Sequence, residues 1–201
     1  METKTKWSEG AMTTPEFSNH NYTYEDYLTW DGQWELIDGV PYSMAPSPSF
    51  THQYIVGELY AALRDYFQQQ GCVVVMAPFD VIFASSLDGK SAKNVVQPDI
   101  SVICNREKIT EKGCVGAPDL IVEVLSPSTA LKDRNEKYKL YQRFEVKEYW
   151  MVDPLHRTVE VYGWHNGVYE KREVFGEQDV LVSFLYPDLK VCLNDVFQRL
   201  S

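Results

Sequence analysis

The sequence predicts one α/β (α+β) domain, a mixed central sheet flanked by helices with an additional β-hairpin towards the C-terminus. Three observations lead there. The 201-residue length suits one compact core and is short for two. The elements read in the order helix, several strands, helix, strands, which calls for a sheet covered by helices. Composition is that of a globular chain, 44% hydrophobic and 24% charged, which excludes disorder and collagen-like repeats.

In chain order, residues 1–22 are polar and without periodicity, and read as a mobile arm ahead of a domain spanning 23–201. Thr23 followed by Glu25 and Asp26 reads as a capped short helix. Residues 34–42 read as two strands around the Asp38-Gly39 turn, and the Pro- and Ser-rich residues 45–49 as a loop. His52 to Gln70 is the strongest helix, because Ile55, Leu59, Ala62, Leu63 and Tyr66 repeat at helical spacing and Gly71 stops it. Strands are expected at 72–76, 79–84, 98–104 and 119–125, with a loop to Asn94 and a long loop over 105–118. A second helix runs from Ser126-Pro127-Ser128-Thr129 to about Phe144. Strands follow at 148–152, 158–164 and 168–174, the last two joined by the tight-turn pair Asn166-Gly167.

Several function classes lose their signatures. GxGxxG, GxxxxGK[ST] and GxSxG are all absent, which argues against dinucleotide binding, P-loop hydrolysis and the common serine hydrolases. No apolar run reaches the ~18 residues that span a bilayer, and the N-terminus has no secretory h-region, so a soluble cytoplasmic protein without membrane contact is expected. Cys72, Cys104, Cys114 and Cys192 form no CxxC pair and no zinc spacing, and read as buried reduced thiols. The net charge of −10 argues against nonspecific coating of nucleic acid. Residues 90–147 hold 11 basic and 8 acidic side chains, the one net-basic segment, and would have to carry any contact with a polyanion.

Within that segment lies the chemistry. Asp99 opens one apolar strand and Glu123 sits near the end of the next. If these strands pair antiparallel, side-chain alternation puts both carboxylates on one face. Two carboxylates in an apolar sheet resist ionisation unless a cation lies between them, and magnesium takes one or two carboxylates and completes its shell with water and phosphate. The bland alternative pairs Glu123 with a lysine or arginine. Lys137 falls on the helix face of Leu140, Tyr141 and Phe144, whereas Lys139 points away. It could therefore reach Glu123, or snorkel from the edge of the apolar stripe.

Pro98-Asp99 followed by Glu123-Val124-Leu125 resembles the PD-(D/E)XK signature of restriction-endonuclease-like nucleases, with Leu125 where the signature has lysine. The wider set narrows the match. It comprises residues 35–39, His52, Gln97-Pro98-Asp99, the segment from Glu123 to Thr129, Asp133 with Lys137 and Tyr141, and residues 148–154. Together these resemble the bacterial Uma-two family, from about residue 23 to the C-terminus. The resemblance implies a restriction-endonuclease-like fold and magnesium-dependent cleavage of DNA, with manganese as a substitute metal. Asp99 and Glu123 would bind the metal, and Lys137 would be the signature lysine moved to the helix. Glu35 would be a further acidic ligand or a solvated strand residue, and His52 a catalytic or a structural histidine. A homodimer is expected by analogy with nucleases that cut both strands, and the aromatic hairpin carrying Tyr149, Trp150, Tyr162, Trp164 and Tyr169 is a candidate dimer surface or core. The alternatives are a catalytically silent module, to which the leucine at 125 points, and a nuclease acting on RNA.

Overall fold

A computed structural model describes residues 21–44, 47–84 and 89–198. The first 20 residues of the expected arm lie outside them. Its last two are tied to the body: Tyr22 N–H donates to the Gly39 carbonyl, and Asn21 Oδ1 accepts from Lys93.

A short helix α1 (Tyr24–Tyr27) starts at Thr23, whose N–H and hydroxyl both donate to Asp26. The hairpin β1 (Trp34–Ile37) and β2 (Val40–Ser43) turns through Asp38 and Gly39, both left-handed at φ 52° and 75°. That double positive φ is what an Asp-Gly hairpin turn supplies. Helix α2 (Phe50–Phe67) is capped by Ser49, which accepts from the His52 N–H, and ends in a 3₁₀ turn at left-handed Gly71.

Twelve of the strands that follow or precede it form two six-stranded mixed sheets. The main sheet runs β12-β11-β10-β9-β6-β3, built from β3 (Val73–Met76), β6 (Ile100–Ile103), β9 (Leu120–Val124), β10 (Glu148–Asp153), β11 (Thr158–His165) and β12 (Val168–Gly176). Only β9 and β10 in it are parallel, joined through the second helix. The other sheet runs β2-β1-β5-β4-β8-β7, adding β4 (Asp80–Ile82), β5 (Val95–Val96), β7 (Ile109–Thr110) and β8 (Gly113–Val115). A small pair, β13 (Val180–Val182) and β14 (Lys190–Cys192), leads into α5 (Leu193–Phe197).

Side-chain alternation divides the core. One face of the main sheet, with Ile100, Val102, Leu120, Val122 and Val124, packs on Ile55, Leu59, Leu63 and Phe67 of α2. The opposite face, with Ile103, Ile121, Leu125, Tyr149 and Met151, packs on the second helix and the other six-stranded sheet. The far side of that sheet is closed by Tyr24, Trp30 and Trp34.

Two expectations need correction. The stretch 105–118 is not a plain loop: Asn105 caps a 3₁₀ turn and β7 and β8 follow, in a segment too short and too polar to show a strand period. The cysteines are not four buried thiols. Cys72 and Cys104 face each other across β3 and β6 and are joined by a disulfide, Cys114 is a buried thiol, and Cys192 is exposed. The aromatic hairpin takes the core alternative, since Tyr149, Trp150, Tyr162 and Tyr169 are buried and Trp164 packs against the cluster of Tyr149, Tyr162 and Tyr169. The Asn166-Gly167 turn does join β11 to β12, with φ 49° and 89°.

Candidate active site

The register between β6 and β9 pairs Ile100 with Val122 antiparallel, so Asp99 and Glu123, the next residues along, stand opposite each other. They share the face that carries Ser101 and Ile121. Asp99 Oδ2 accepts from the Val124 N–H at 2.7 Å and lies 3.3 Å from His52 Nε2. His52 is the third residue of α2, and this contact brings the start of that helix to the end of the sheet. Burial pushes the imidazole down, but Asp99 and the Val124 carbonyl outweigh it and hold it above its ordinary value.

The second helix supplies the cations. It runs as α3 (Ala130–Lys132), a π-helical turn over Asp133–Lys137, and α4 (Tyr138–Arg143). Lys137 is 4% exposed, and its ammonium lies 2.8 Å from Glu123 Oε1, 2.9 Å from Glu35 Oε1 and 3.6 Å from Asp133 Oδ1. Burial alone would lower its pKa, but three carboxylates hold it well above the usual lysine value. Lys139 is exposed, as the helical phase requires. Leu125, two residues beyond Glu123, is packed in the core cluster, so the ammonium beside Glu123 comes from the helix instead of the strand.

Glu35 is fully buried on β1. Its Oε1 accepts from the Gln97 N–H and meets Lys137, and its Oε2 meets Lys132 at 2.5 Å. Burial raises this carboxyl, but the two lysines overcome that and leave it below its ordinary value. Glu35 is thus a counter-ion shared by two lysines. Glu123 shows the opposite balance. Lys137 and the Tyr141 hydroxyl both donate to its Oε1. Burial and the neighbouring Asp133, Asp99 and Glu35 nevertheless push it up to about 8. Its Oε2, like Asp99 Oδ1, has no hydrogen-bond partner among the described residues.

These groups line one cleft of about 420 Å³, together with Ser49, Gln97, Ser126, Ser128, Thr129 and Lys132. Five buried side-chain polar atoms among the described residues lack a hydrogen bond, and three of them, His52 Nδ1, Gln97 Oε1 and Asp133 Oδ1, belong to residues lining this cleft. Clustering of unmet polar capacity is a mark of a functional cleft, because elsewhere such groups are selected out. Among the described residues no three His, Cys, Asp or Glu side chains form a ready metal cage.

All five expected residues therefore line this cleft: Asp99, Glu123, Lys137, Glu35 and His52. The sequence reading missed Lys132. In a regular helix, residues five apart sit about 140° apart, so Lys132 and Lys137 would face different ways. The π turn returns to the same face after about five residues, and both ammoniums reach Glu35. Helical spacing alone gives no signal for this.

The family model described as "Uma2: Putative restriction endonuclease" matches residues 24–193. The chain belongs to this family. A crystal structure of a "putative nuclease belonging to DUF820" from Anabaena variabilis superposes with a TM-score of 0.71 at 21% identity, over 90% of this chain and 99% of that one. The likeness shows that the two chains share a fold, consistent with the expected restriction-endonuclease-like architecture. Two Synechocystis sp. proteins are also similar. One, slr1290, is 27% identical over 143 residues, 69% of this chain and 72% of its own length. The other, sll1609, is 38% identical over 68 residues, 32% of this chain and 38% of its own length. Membership in the Uma2 family supports a nuclease, a hydrolase of phosphodiester bonds acting on nucleic acid. No helix among the described residues is long and apolar enough to cross a membrane.

Proposed function

We propose that this Uma2 protein is a divalent-metal-dependent endonuclease that cleaves DNA, with Asp99 and Glu123 holding magnesium, for which manganese would substitute. The observation that carries the reading is the pairing of Asp99 with Glu123 across β6 and β9, with the Lys137 ammonium 2.8 Å from Glu123.

The donor set fits a hard dication. Asp99 and Glu123 each keep one carboxylate oxygen without a partner among the described residues. Four carboxylates, Glu35, Asp99, Glu123 and Asp133, face two ammoniums, Lys132 and Lys137, in the same cleft. Burial first, and then that surplus of negative charge, raises Glu123, and a bound dication would offset both. Magnesium needs only one or two carboxylates and keeps water and phosphate in its remaining positions, so a full protein cage is not required. When bound, it would supply Lewis-acid activation of water and of the phosphoryl group.

The remaining roles fall to the chain itself. Lys137, fixed by Glu35, Glu123 and Asp133, presents a rigid positive charge where negative charge grows on the scissile phosphate. His52 and the Val124 N–H fix the orientation of Asp99. Tyr141 fixes Glu123. Two chains, each with one such site, would cut the two strands of a duplex, so the working unit is a homodimer.

The test is cleavage of supercoiled, linear and single-stranded DNA, and of RNA, with magnesium, manganese or EDTA. Nicking or linearisation of DNA that needs the metal supports the reading. No cleavage of any substrate, with no magnesium binding by calorimetry, would identify a silent module.

A further inference from the structure

Lys132 is the cation that the mechanism leaves unused. It lines the cleft with its side chain 16% exposed, and its one carboxylate contact is Glu35 Oε2. Its ammonium also stands 5.8 Å from the centre of the Tyr42 ring. An ammonium has three donors, and among the described residues only one of them meets an oxygen. Lys137 differs, because three carboxylates already surround its ammonium.

One turn before Lys132 lie Ser128 and Thr129, which line the same cleft. The Ser126 hydroxyl lies 3.0 Å from both the Ser128 and Thr129 hydroxyls. Ser128 is exposed, so its hydroxyl can turn towards a ligand. A lysine with spare donors beside hydroxyls on a cleft wall matches a phosphate oxygen.

We propose that Lys132, with Ser128 and Thr129, forms a second phosphate position in the cleft, which takes a nucleic-acid backbone phosphodiester next to the one that is cut. The proposal rests on the nuclease reading. Lys137 and Lys132 then divide the work along one strand, the first at the scissile group and the second at its neighbour, and the π turn sets their spacing. Glu35 holds both ammoniums in place.

Fluorescence anisotropy of a labelled oligonucleotide, with calcium in place of magnesium, measures binding without relying on cleavage. A salt titration then counts phosphate contacts. Lys132→Met should weaken binding about tenfold, equally across sequences, and reduce the slope of log affinity against log salt by about one unit. Lys132→Arg should restore both. Cleavage by Lys132→Met should show a raised KM with kcat nearly unchanged.

Loss of the Glu35 contact could unfold Lys132→Met, so a second variant avoids that contact. Ser128→Glu places a carboxylate four residues before Lys132, where it can pair with the lysine and suits the start of a helix. It should reproduce the loss of slope in a folded protein. A lowered kcat with unchanged affinity and slope in Lys132→Met would overturn the proposal, because Lys132 would then act only as support for Glu35. Wild-type affinity and slope in both variants would also overturn it, while leaving the nuclease reading intact. Wild-type protein that neither binds nor cuts any nucleic acid would sink both readings together.

Discussion

Glu123 and Glu148 are both buried glutamates, on the neighbouring strands β9 and β10, yet their surroundings assign them different work. Glu148 is a closed account. Its Oε1 accepts from Trp150 Nε1 and the Phe184 N–H, and its Oε2 from the Ser183 hydroxyl and the Leu185 N–H. It staples the segment after β13 to the main sheet and does not line the cleft around Glu123. Glu123 has both its donors on one oxygen and lines the cleft that Asp99 shares. Burial of a carboxylate is therefore a poor sign of function on its own. The informative sign is burial combined with bonding capacity left unmet.

The largest expected effect separates the two by activity. Asp99→Asn or Glu123→Gln should lower metal-dependent cleavage by at least about a hundredfold. Glu148→Gln should cleave at near the wild-type rate at temperatures where it is folded. Equal losses in all three, at equal folded fraction, would erase the distinction.

The next effect reverses the order. Glu148→Ala leaves two backbone N–H groups, a hydroxyl and an indole N–H without their acceptor. Denaturant unfolding should show a loss of about 3 kcal/mol or more. Glu123→Gln keeps an acceptor for Lys137 and Tyr141 and should cost less than Glu148→Ala.

A third test uses magnesium as a ligand. Magnesium should raise the midpoint of thermal unfolding in the wild-type protein and in Glu148→Gln, and leave Glu123→Gln unmoved, because only binding to the folded state stabilises it. An equal rise in all three would place the ion elsewhere.

The smallest effect is on pH. In metal-free protein Glu123 is raised from its ordinary 4.5 to about 8, so between these values the folded state holds a proton that the unfolded state has released. Stability from this group is present below about 4.5 and is lost as pH rises through about 8. Glu35, which is lowered, contributes in the opposite sense and is retained in both proteins. The difference between wild-type and Glu123→Gln stability should therefore shift towards the glutamine variant from pH 5 to pH 8, as followed by denaturant titration. A flat difference would mean that Glu123 stays ionised throughout.

Much of the fold and most of the site could be read from local pattern. The alternation in residues 99–103 and 121–125 put Asp99 and Glu123 on the faces they occupy, because the period of a strand is set by its own backbone. Helical phase set Lys137 inward and Lys139 outward for the same reason. The Asp38-Gly39 and Asn166-Gly167 turns follow from residues that tolerate positive φ. Glu35, by contrast, read equally as a solvated strand residue, and only the packing of β1 beside the helix made it the counter-ion of two lysines. The Cys72–Cys104 bridge depended on the pairing of β3 with β6, 32 residues apart in sequence. The part of Lys132 depended on a π turn that no spacing in the sequence records. The sequence by itself determined which face each side chain takes on its own strand or helix, since that is fixed by the backbone repeat. The tertiary structure decided which charges meet, since an ion pair between distant segments exists only once sheets and helices have docked.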